Sequence, residues 1–367
     1  MLSLQRDILL TPRRGIASGF PATVERAIDG GYSHWFTQIG GNERFNGICR
    51  AHVAPGEAPP AWRPFVLRDK PVLHSRQPVI GNLPAGWQPV QPVRIALKGG
   101  GYRLWFWAHS PADGVVRYLA ADSDNDVVYN CVDPHRPCLW HYCDRAVGGR
   151  RLPGVKGLAW AKDNYARRPA CEPICPPEMV ANDATTLYQL ADGSFELFTA
   201  AIRSVPKGSP EYISWDNAPG YRRHIRRYTS ADGLHFTPSG TVVDFDAEDP
   251  PYLQYYHLSV FHREDGSRVG FLGRYDVNAQ TMDIERCFSA DGLTWRRERR
   301  PFLQRKAGEL SLYTPCNPLF READGRMRLF FTAFNYTHNR KYVIGKRLTG
   351  VLSSVSLTEK EALHDIR

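Results

Sequence analysis

Hydrophobic positions along the chain recur in short runs that are separated by glycine turns. Five segments share an apolar run, a tight glycine-containing turn and a second run rich in aromatic and aliphatic residues. This pattern is typical of a β-hairpin, because alternating apolar positions suit a pleated strand and glycine suits a tight turn. The turns are Asp29-Gly30, Gly99-Gly100, Asp192-Gly193, Asp265-Gly266 and Asp324-Gly325.

The spacing of these turns predicts a repeat architecture. Successive turns are 59 to 93 positions apart (29 to 99, 99 to 192, 192 to 265, 265 to 324), which is enough for one four-stranded sheet per repeat. Five such repeats predict an all-β fold, a five-bladed β-propeller. Asp-Gly turns and aromatic strands also occur in β-sandwiches, and this fold stays the alternative.

A second motif supports the count of repeats. Ser230-Ala231-Asp232-Gly233-Leu234-His235-Phe236 recurs as Ser289-Ala290-Asp291-Gly292-Leu293-Thr294-Trp295, with a weaker version at Ala121-Asp122-Ser123-Asp124-Asn125. Each copy is predicted at the outer hairpin of its repeat. We therefore expect one domain over 1–367, and a long loop that covers one of its faces. The predicted blades are 20–75, 88–131, 180–245, 254–305 and 312–355, and the loop is 132–177.

Composition and charge narrow the possible partners. Hydrophobic residues make up 42% and charged residues 23% of the chain, as in globular proteins that bury a core. The net charge of +9 is compatible with nucleic acid as a partner, but the basic residues are scattered. The densest groups, 222–227 and 296–300, flank turn-like segments without a helical basic region or zinc-finger spacing. We predict no nucleic-acid partner.

The remaining compositional signals concern location and metals. The N-terminal stretch 1–10 carries charge and lacks a signal-peptide pattern, and no apolar run reaches about 18 residues, so a cytoplasmic protein without a membrane span is expected. The eight cysteines are then expected to be thiols. Five of them crowd together near His135 and His141, but without paired C-x2-C spacing we predict neither a metal nor a cofactor. These five are Cys131, Cys138, Cys143, Cys171 and Cys175.

The five glycine hairpins and the two Ser-Ala-Asp-Gly-Leu-x-aromatic turns, spanning 20–355, resemble the five-bladed propeller glycosidases. That clan includes arabinanases, β-xylosidases, invertases and anhydrogalactosidases. The Ser-x-Asp turn is also similar to the sialidase Asp-box, but it lacks that motif's extra residue between Asp and Gly, which disfavours a six-bladed sialidase. The resemblance implies that catalytic acids lie on inner strands, seven to nine positions before each turn. These windows are 20–22, 91–92, 183, 256–257 and 315–317.

Only the third window contains a carboxylate, Asp183. Asn182-Asp183-Ala184 resembles the clan's Asn-Asp-Pro entry to an inner strand, with Ala184 in place of proline. The first window has Phe20-Pro21-Ala22 where these families supply an acid. Glycoside hydrolysis needs two carboxyl groups, so the partner of Asp183 is expected elsewhere. The candidates are Asp249, Glu248 and Glu309, and Glu178 is a further acidic residue close to Asp183 in sequence.

Polar and aromatic residues near the same windows are candidates for sugar binding. His257, Asn317 and Gln91 occupy inner-strand positions, where a polar group is costly unless it meets water or a ligand. The resemblance also implies that a histidine beside a carboxylate can act as the acid, whereas a core histidine held by backbone groups is the alternative. The aromatic residues Trp35, Trp105, Trp107 and Tyr256 could stack on sugars or pack between blades.

The combined signals predict a glycoside hydrolase that acts on a small oligosaccharide or glycoside at the mouth of a central channel. A carbohydrate substrate or ligand is the expected partner. Two alternatives stay open: a non-catalytic carbohydrate-binding propeller, and a glycoside phosphorylase or transferase. The first is encouraged by the missing acid in the first repeat, and the second is permitted by the basic residues.

Overall fold

The computed structural model describes most of the chain as β-strands. The described residues are 6–10, 16–39, 46–53, 66–67, 70–71, 80–110, 112–147, 175–339, 342–345 and 348–364. Their only α-helix is α1 (Glu359–Leu363), and two 3-10 turns occupy Arg145–Val147 and Pro177–Met179. The all-β class is therefore confirmed for this part of the chain. Most of the predicted loop 132–177, including Cys171, lies outside the described residues.

None of the helices in the described ranges has the length and apolar character needed to cross a membrane.

The N-terminal half contains two groups of mainly antiparallel strands. The first strand is β1 (Arg6–Leu10), and the first group consists of β2 (Ile16–Arg26), β3 (Tyr32–Ile39) and β4 (Asn46–Val53). A short hairpin follows, β5 (Val66–Leu67) with β6 (Lys70–Pro71). The second group is built on β8 (Gln88–Ala96), β9 (Tyr102–Ser110) and β10 (Val115–Ser123). Its flanking strands are β7 (Ile80–Gly81), β11 (Tyr129–Cys131), β12 (Leu139–His141) and β13 (Val180–Ala181).

The C-terminal half continues the pattern. The third group is β14 (Thr186–Gln189), β15 (Phe195–Ser204), β16 (Tyr221–Ser230) and β17 (Thr237–Val243). The fourth is β18 (Leu253–His262), β19 (Arg268–Asp276), β20 (Thr281–Ser289) and β21 (Arg296–Leu303). The last is β22 (Ser311–Tyr313), β23 (Leu319–Arg321), β24 (Met327–Phe334) and β25 (Gly350–Leu357). Strand β1 pairs antiparallel with β25 and so joins the two ends of the chain.

The predicted hairpins are confirmed. Each of the five glycine turns joins two neighbouring strands of its group, for example Asp265-Gly266 between β18 and β19. The Ser-Ala-Asp-Gly motifs form the outer hairpins, where Asp232 Oδ1 accepts hydrogen bonds from the backbone N of Leu234 at 2.8 Å and of His235 at 2.9 Å. In the weaker version Asn125 takes the place of that aspartate, and Asp126, at φ 58°, takes the place of the glycine.

The hydrophobic core lies between neighbouring groups of strands. Trp105 and Trp107 are fully buried between the second and third groups, together with Leu197 and Tyr228. Trp35 is 1% exposed and packs against strands of the second group. The predicted sugar-stacking role of Trp35 is therefore corrected to packing, because its ring cannot reach a ligand without opening this core.

In each group, a break in the ladder lies within the first strand or next to it, at the position of the predicted window. Bulges interrupt β2, β8 and β18 within the predicted windows, and the breaks at 182–185 and 314–318 lie in front of β14 and β23. Bulges re-aim side chains, so these breaks direct polar groups out of the ladders.

Hydrogen bonds join the breaks from one group of strands to another. They are Thr23 Oγ1 to Pro92 O (3.1 Å), Gln91 Nε2 to Asp183 Oδ2 (3.3 Å), Asn182 Nδ2 to Tyr256 Oη (3.4 Å), His257 Nε2 with Thr314 Oγ1 (3.1 Å) and Cys316 N to Ala22 O (2.7 Å).

Candidate functional site

Asp183 lies in the break in front of β14, and Gln91 joins it to the break in β8. Its carboxyl accepts hydrogen bonds from Asn182 Nδ2 at 2.6 Å and from Gln91 Nε2 at 3.3 Å. The neighbouring Ala184, at φ 62°, donates its backbone N–H to Gln91 Oε1 at 3.1 Å, and Gln91 itself is at φ 57°. Left-handed backbone is costly for residues other than glycine and concentrates at functional sites. The local geometry thus holds Asp183 in place at the expense of backbone strain.

The environment of Asp183 favours its protonated form. Burial raises the pKa of this carboxyl above its ordinary value, although the positive charge of Arg223 and hydrogen bonds from Gln91 and Tyr256 act in the opposite direction. The side chain nevertheless keeps partial contact with solvent. A carboxyl group whose pKa is raised holds its proton to higher pH than an ordinary aspartate does, which suits a proton donor.

A buried ion pair next to this carboxyl was not anticipated from the sequence. Arg223 Nη1 donates to Asp216 Oδ2 at 2.8 Å, and both side chains are fully buried. Asp216 Oδ1 also accepts from Tyr275 Oη at 2.9 Å and from Asn339 Nδ2 at 3.0 Å. Burial alone would raise the pKa of Asp216, but the charge and hydrogen bond of Arg223 outweigh it and lower this pKa to about 2. Asp216 is therefore ionised.

Tyr256 connects the ion pair to Asp183. The Arg223 guanidinium lies 4.8 Å from the centre of the Tyr256 ring, and Tyr256 Oη accepts from Asn182 at 3.4 Å. The guanidinium also donates to Gln254 Oε1 at 2.6 Å and to Asn217 Oδ1. We call the connected set the Asp183 cluster; it comprises Gln91, Asn182, Asp183, Asp216, Asn217, Arg223, Gln254, Tyr256, Tyr275, Tyr313, His338 and Asn339.

A histidine does belong to the cluster, but it is His338. Its Nδ1 lies 3.2 Å from Tyr313 Oη, its Nε2 lies 3.5 Å from Asn217 Nδ2, and its ring centre is 4.5 Å from that of Tyr256. Burial, assisted by the charge of Arg223, lowers the pKa of His338 to about 4. The ring is consequently neutral near pH 7.

The predicted ligand His257 is instead a core residue. Its side chain is fully buried, and its Nε2 is 3.1 Å from Thr314 Oγ1. The ring fills the space above Gly273, where a Cβ atom would come within 2.1 Å of His257 Nδ1. Burial lowers the pKa of His257 to about 3. The alternative interpretation, a core histidine, describes this residue better than sugar binding.

The three predicted partners of Asp183 lie elsewhere. Asp249, 3% exposed, pairs with Arg297 of the outer strand β21 at 2.9 Å. Glu248 is 73% exposed and pairs with Arg299 at 2.9 Å. Glu309 accepts from Lys306 N at 2.7 Å and lines an outer groove of about 900 Å³ beside α1. We therefore withdraw all three as partners of Asp183, because Asp249 and Glu248 are engaged by arginines of β21 and Glu309 by the turn that begins at Lys306.

Gln91 contacts Asp183 directly. The two remaining candidates for sugar binding, Glu178 and Asn317, differ from Gln91 and from each other. Glu178 is exposed. Its backbone oxygen, and not its carboxylate, accepts a hydrogen bond from Tyr228 Oη at 2.6 Å. Asn317 is half-buried in the break before β23, and its side chain makes no hydrogen bond within the described ranges. Asn317 thus keeps its polar group available, whereas Glu178 does not contact the Asp183 cluster.

Two signals in the sequence could have pointed to the missed residues. Asp216 and Asn217 lie on the connection 205–220 between β15 and β16, which is much longer than a hairpin turn requires. Arg223 belongs to the dense group of arginines at 222–227, which flanks a turn-like segment in the sequence. Only the fold shows that Arg222 and Arg223 are buried while Arg226 and Arg227 keep part of their surface.

The described cysteines and acidic groups offer no assembled metal site. Seven cysteines are free thiols in the structure, and the part of the chain that is described holds no group of three or more His, Cys, Asp or Glu side chains that could bind a metal ion.

Comparisons with known proteins identify the fold. No family model matches the chain, and neither does any curated protein, but solved structures do. One titled "Glycoside hydrolase" is 12% identical with a TM-score of 0.59, covering 96% of this chain and 91% of that one. A protein of unknown function from Dyadobacter fermentans is 12% identical with a TM-score of 0.51, covering 96% of this chain and 98% of that one. An exo-β-1,3-galactanase from Clostridium thermocellum is 10% identical with a TM-score of 0.54, covering 98% of this chain and 64% of that one. The chain therefore has the all-β propeller fold found in the glycoside hydrolases among these structures.

Proposed function

We propose that this protein is a glycoside hydrolase that acts on a small oligosaccharide or glycoside at the Asp183 cluster. One observation carries the proposal: two carboxyl groups of one connected cluster have opposite pKa shifts. Burial raises the pKa of Asp183, whereas Arg223 holds that of Asp216 at about 2. A protonated and an ionised carboxyl group are the pair that glycoside hydrolysis requires.

In this proposal Asp183 is the general acid. Its proton goes to the glycosidic oxygen as the bond to the sugar breaks, and the Gln91 and Asn182 amides hold the carboxyl group in position. Asp216 replaces Asp249, Glu248 and Glu309 as the second carboxylate. Its Oδ1 carries the hydrogen bonds from Tyr275 and Asn339, so direct action on water or on the sugar requires the Asn339 amide to move aside.

The same proposal includes the finer architecture. The five antiparallel groups are the five blades of a single propeller domain over 1–367, and the broken inner strands surround the mouth of its central channel. The galactanase among the structural neighbours makes β-1,3-linked galactosides sensible first substrates. A cytoplasmic location and the lack of a nucleic-acid partner remain predictions from the sequence.

A carbohydrate-binding propeller without catalysis is the second candidate. It is favoured by the complete burial of Asp216, which leaves Asp183 as the carboxylate of the cluster with contact to solvent. The phosphorylase or transferase alternative gains no support from Arg222 and Arg223, because acidic partners already engage both guanidinium groups.

Sugar release separates the two candidates. Purified protein is incubated with neutral disaccharides and 4-nitrophenyl glycosides, β-1,3-galactobiose among them, and the products are measured by chromatography. We expect release of one terminal sugar by the parent and at least ~10²-fold less by Asp183→Asn. Glu178→Gln, an exposed acid outside the cluster, is the matched control. Sugar binding in calorimetry without hydrolysis would establish the binding module instead.

A further inference from the structure

The groove beside α1 is a second concave surface of the protein, and it shares no residue with the Asp183 cluster. Its volume of about 900 Å³ lies in the range of ligand pockets. Its walls are formed by β20, β21, the connection 304–309 and α1. The Arg286 guanidinium donates to Glu361 O and thereby joins β20 to α1. We call this cleft between the fourth and the fifth group of strands the α1 groove.

The arginines of β21 have different partners on the two sides of the strand. Arg297 pairs with Asp249 and Arg299 pairs with Glu248, both at 2.9 Å. Arg300 is exposed and lines the α1 groove instead, and its guanidinium has no ion pair or hydrogen bond among the residues that the structure describes. The neighbouring acidic residues therefore neutralise one side of the strand and leave the charge of Arg300 uncompensated.

Two lysines add to the positive charge of the α1 groove. Lys306, in the connection that follows β21, and Lys360 of α1 both line this groove and are exposed. Neither ammonium group has an ion pair or a hydrogen bond within the described ranges. Cations gathered in a cleft raise the local concentration of anions, because the low-dielectric walls focus their field. Arg300, Lys306 and Lys360 are therefore available for the anionic groups of a ligand.

Four carboxylates line the same groove, and each already has a partner within the protein. The pairs are Asp283 with Arg305 (2.7 Å), Glu298 with Arg286, Glu309 with Lys306 N (2.7 Å) and Glu361 with Thr358 N (2.7 Å). In the described part of the chain, none of these carboxylates forms an ion pair with the three free cations. A paired carboxylate still has lone pairs that accept a hydrogen bond from a hydroxyl group. The groove therefore suits a ligand that brings hydrogen-bond donors as well as negative charge.

An acidic sugar has both properties. A uronic acid carries one carboxylate and several hydroxyl groups on the same ring, so it can meet the free cations and donate to the carboxylates of the groove. An acidic peptide segment presents carboxylates without hydroxyl groups, and these would face the carboxylates of the groove. Exposed Pro301 and Ala307, with half-buried Phe302, form an apolar wall on which the C–H face of a sugar ring can pack.

We propose that the α1 groove is a second binding site, which takes an acidic oligosaccharide with its uronate carboxylates at Arg300, Lys306 and Lys360. The site is separate from the Asp183 cluster, so binding here requires no hydrolysis and goes beyond the proposed hydrolase function. Its role is to hold the protein on an acidic glycan, whereas the Asp183 cluster acts on the glycosidic bond. An acidic peptide or a nucleic acid would be a different occupant, and the experiment distinguishes them.

Calorimetry with a charged probe and its neutral counterpart tests the α1 groove. Trigalacturonate and its methyl ester have the same backbone, but only trigalacturonate carries carboxylates. We expect the parent to bind trigalacturonate at least ~tenfold more tightly than the ester, and this preference to shrink as the salt concentration rises. The double variant Lys306→Gln/Lys360→Gln should weaken trigalacturonate binding at least ~fivefold, and the addition of Arg300→Gln should weaken it further.

Two control variants separate the groove from other effects. Arg136→Gln/Lys207→Gln removes two exposed cations outside the groove, so it changes the net charge by the same amount and should bind trigalacturonate as the parent does. Asp183→Asn should also bind as the parent does, because the groove shares no residue with the Asp183 cluster. A protein without turnover that keeps this pattern would refute the hydrolase proposal and leave the α1 groove assignment intact.

Several results would overturn the groove assignment. They are no binding of trigalacturonate, equal binding of the acid and its ester, and an equal loss of affinity in the two double variants. Loss of trigalacturonate binding in Asp183→Asn, with full binding in Lys306→Gln/Lys360→Gln, would place the acidic sugar at the Asp183 cluster. Tighter binding of hexaglutamate or of a six-nucleotide single-stranded DNA than of trigalacturonate would assign the groove to a peptide or to a nucleic acid.

Discussion

Gln91 and Asp183 come from different groups of strands, and a single amide joins them. Gln91 Nε2 donates to Asp183 Oδ2 at 3.3 Å, while Gln91 Oε1 accepts from the backbone N–H of Ala184 at 3.1 Å. The one side chain therefore orients the carboxyl group and satisfies the strained backbone that follows it. This arrangement makes Gln91 a positioning residue in the proposed hydrolase.

Replacing Gln91 tests this role. Gln91→Leu keeps the volume but leaves the Ala184 N–H without its acceptor, which costs about 1–3 kcal/mol in a buried site. We expect kcat to fall at least tenfold with a smaller change in KM, and Gln91→Glu to restore part of the rate by accepting the same N–H. A change in KM alone would instead identify Gln91 as a sugar ligand.

The pH profile should report the protonation of Asp183. Because the acid must be protonated to act, activity should decline as the pH rises above the pKa of Asp183, which burial places above that of an ordinary aspartate. Initial rates across a pH series provide the measurement. An alkaline limb that persists in the residual activity of Asp183→Asn would assign the proton donor to another group.

Changes to the buried ion pair should move this limb in opposite directions. Asp216→Asn removes the proposed second carboxylate and so most of the activity, and it leaves the charge of Arg223 uncompensated, which lowers the pKa of Asp183 and shifts the alkaline limb of the residual activity to lower pH. Arg223→Gln removes that charge and shifts the limb to higher pH. Both variants should lose about 3–5 kcal/mol of stability, because each leaves a buried group without its partner. Identical shifts would disprove the electrostatic coupling.

A second buried carboxylate, Glu196, should contribute to acid stability. It binds His262, Arg227 and Arg268 at 2.6, 2.9 and 3.0 Å. Burial opposes its ionisation, but the bonds from His262 and Arg268 outweigh burial and lower its pKa from 4.5 to about 2. A lowered pKa means that the stabilisation is complete above about pH 4.5 and disappears as the pH falls towards 2.

Glu196→Gln should therefore lose about 3 kcal/mol near pH 7 and show a flatter dependence of unfolding free energy on pH between 4.5 and 2. Urea denaturation at several pH values measures both quantities. Glu248→Gln changes an exposed glutamate and should match the parent within about 0.5 kcal/mol. Equal stability of the two variants would show that the network is energetically neutral.

The buried thiols should react only after unfolding. Seven described cysteines are free and buried, and burial raises the pKa of Cys138 and of Cys316 to about 12, so little thiolate forms near neutral pH. Alkylation without reductant should modify few of them in the native protein and at least seven in urea. Intact-mass spectrometry counts the additions. Fewer than seven in urea would reveal disulfides.

The sequence was sufficient for the strand pattern because the relevant forces are local. Alternating apolar residues and the five glycine turns predict the hairpins, and a pleated strand with a tight turn depends only on residues a few positions apart. The windows on the inner strands, and with them Asp183 and Gln91, followed from the resemblance to the propeller glycosidases.

The rest of the site was decided by tertiary structure. Asp216 and Arg223 lie seven positions apart, but Asp183 and His338 come from distant segments, and nothing near them in sequence shows that these residues meet. Asp249 and Glu309 follow the same local patterns as functional acids, yet the fold places Asp249 against Arg297 of β21 and Glu309 in the groove beside α1. Burial and pairing set the pKa of each carboxyl group, and both depend on which distant residues the fold brings within a few ångströms.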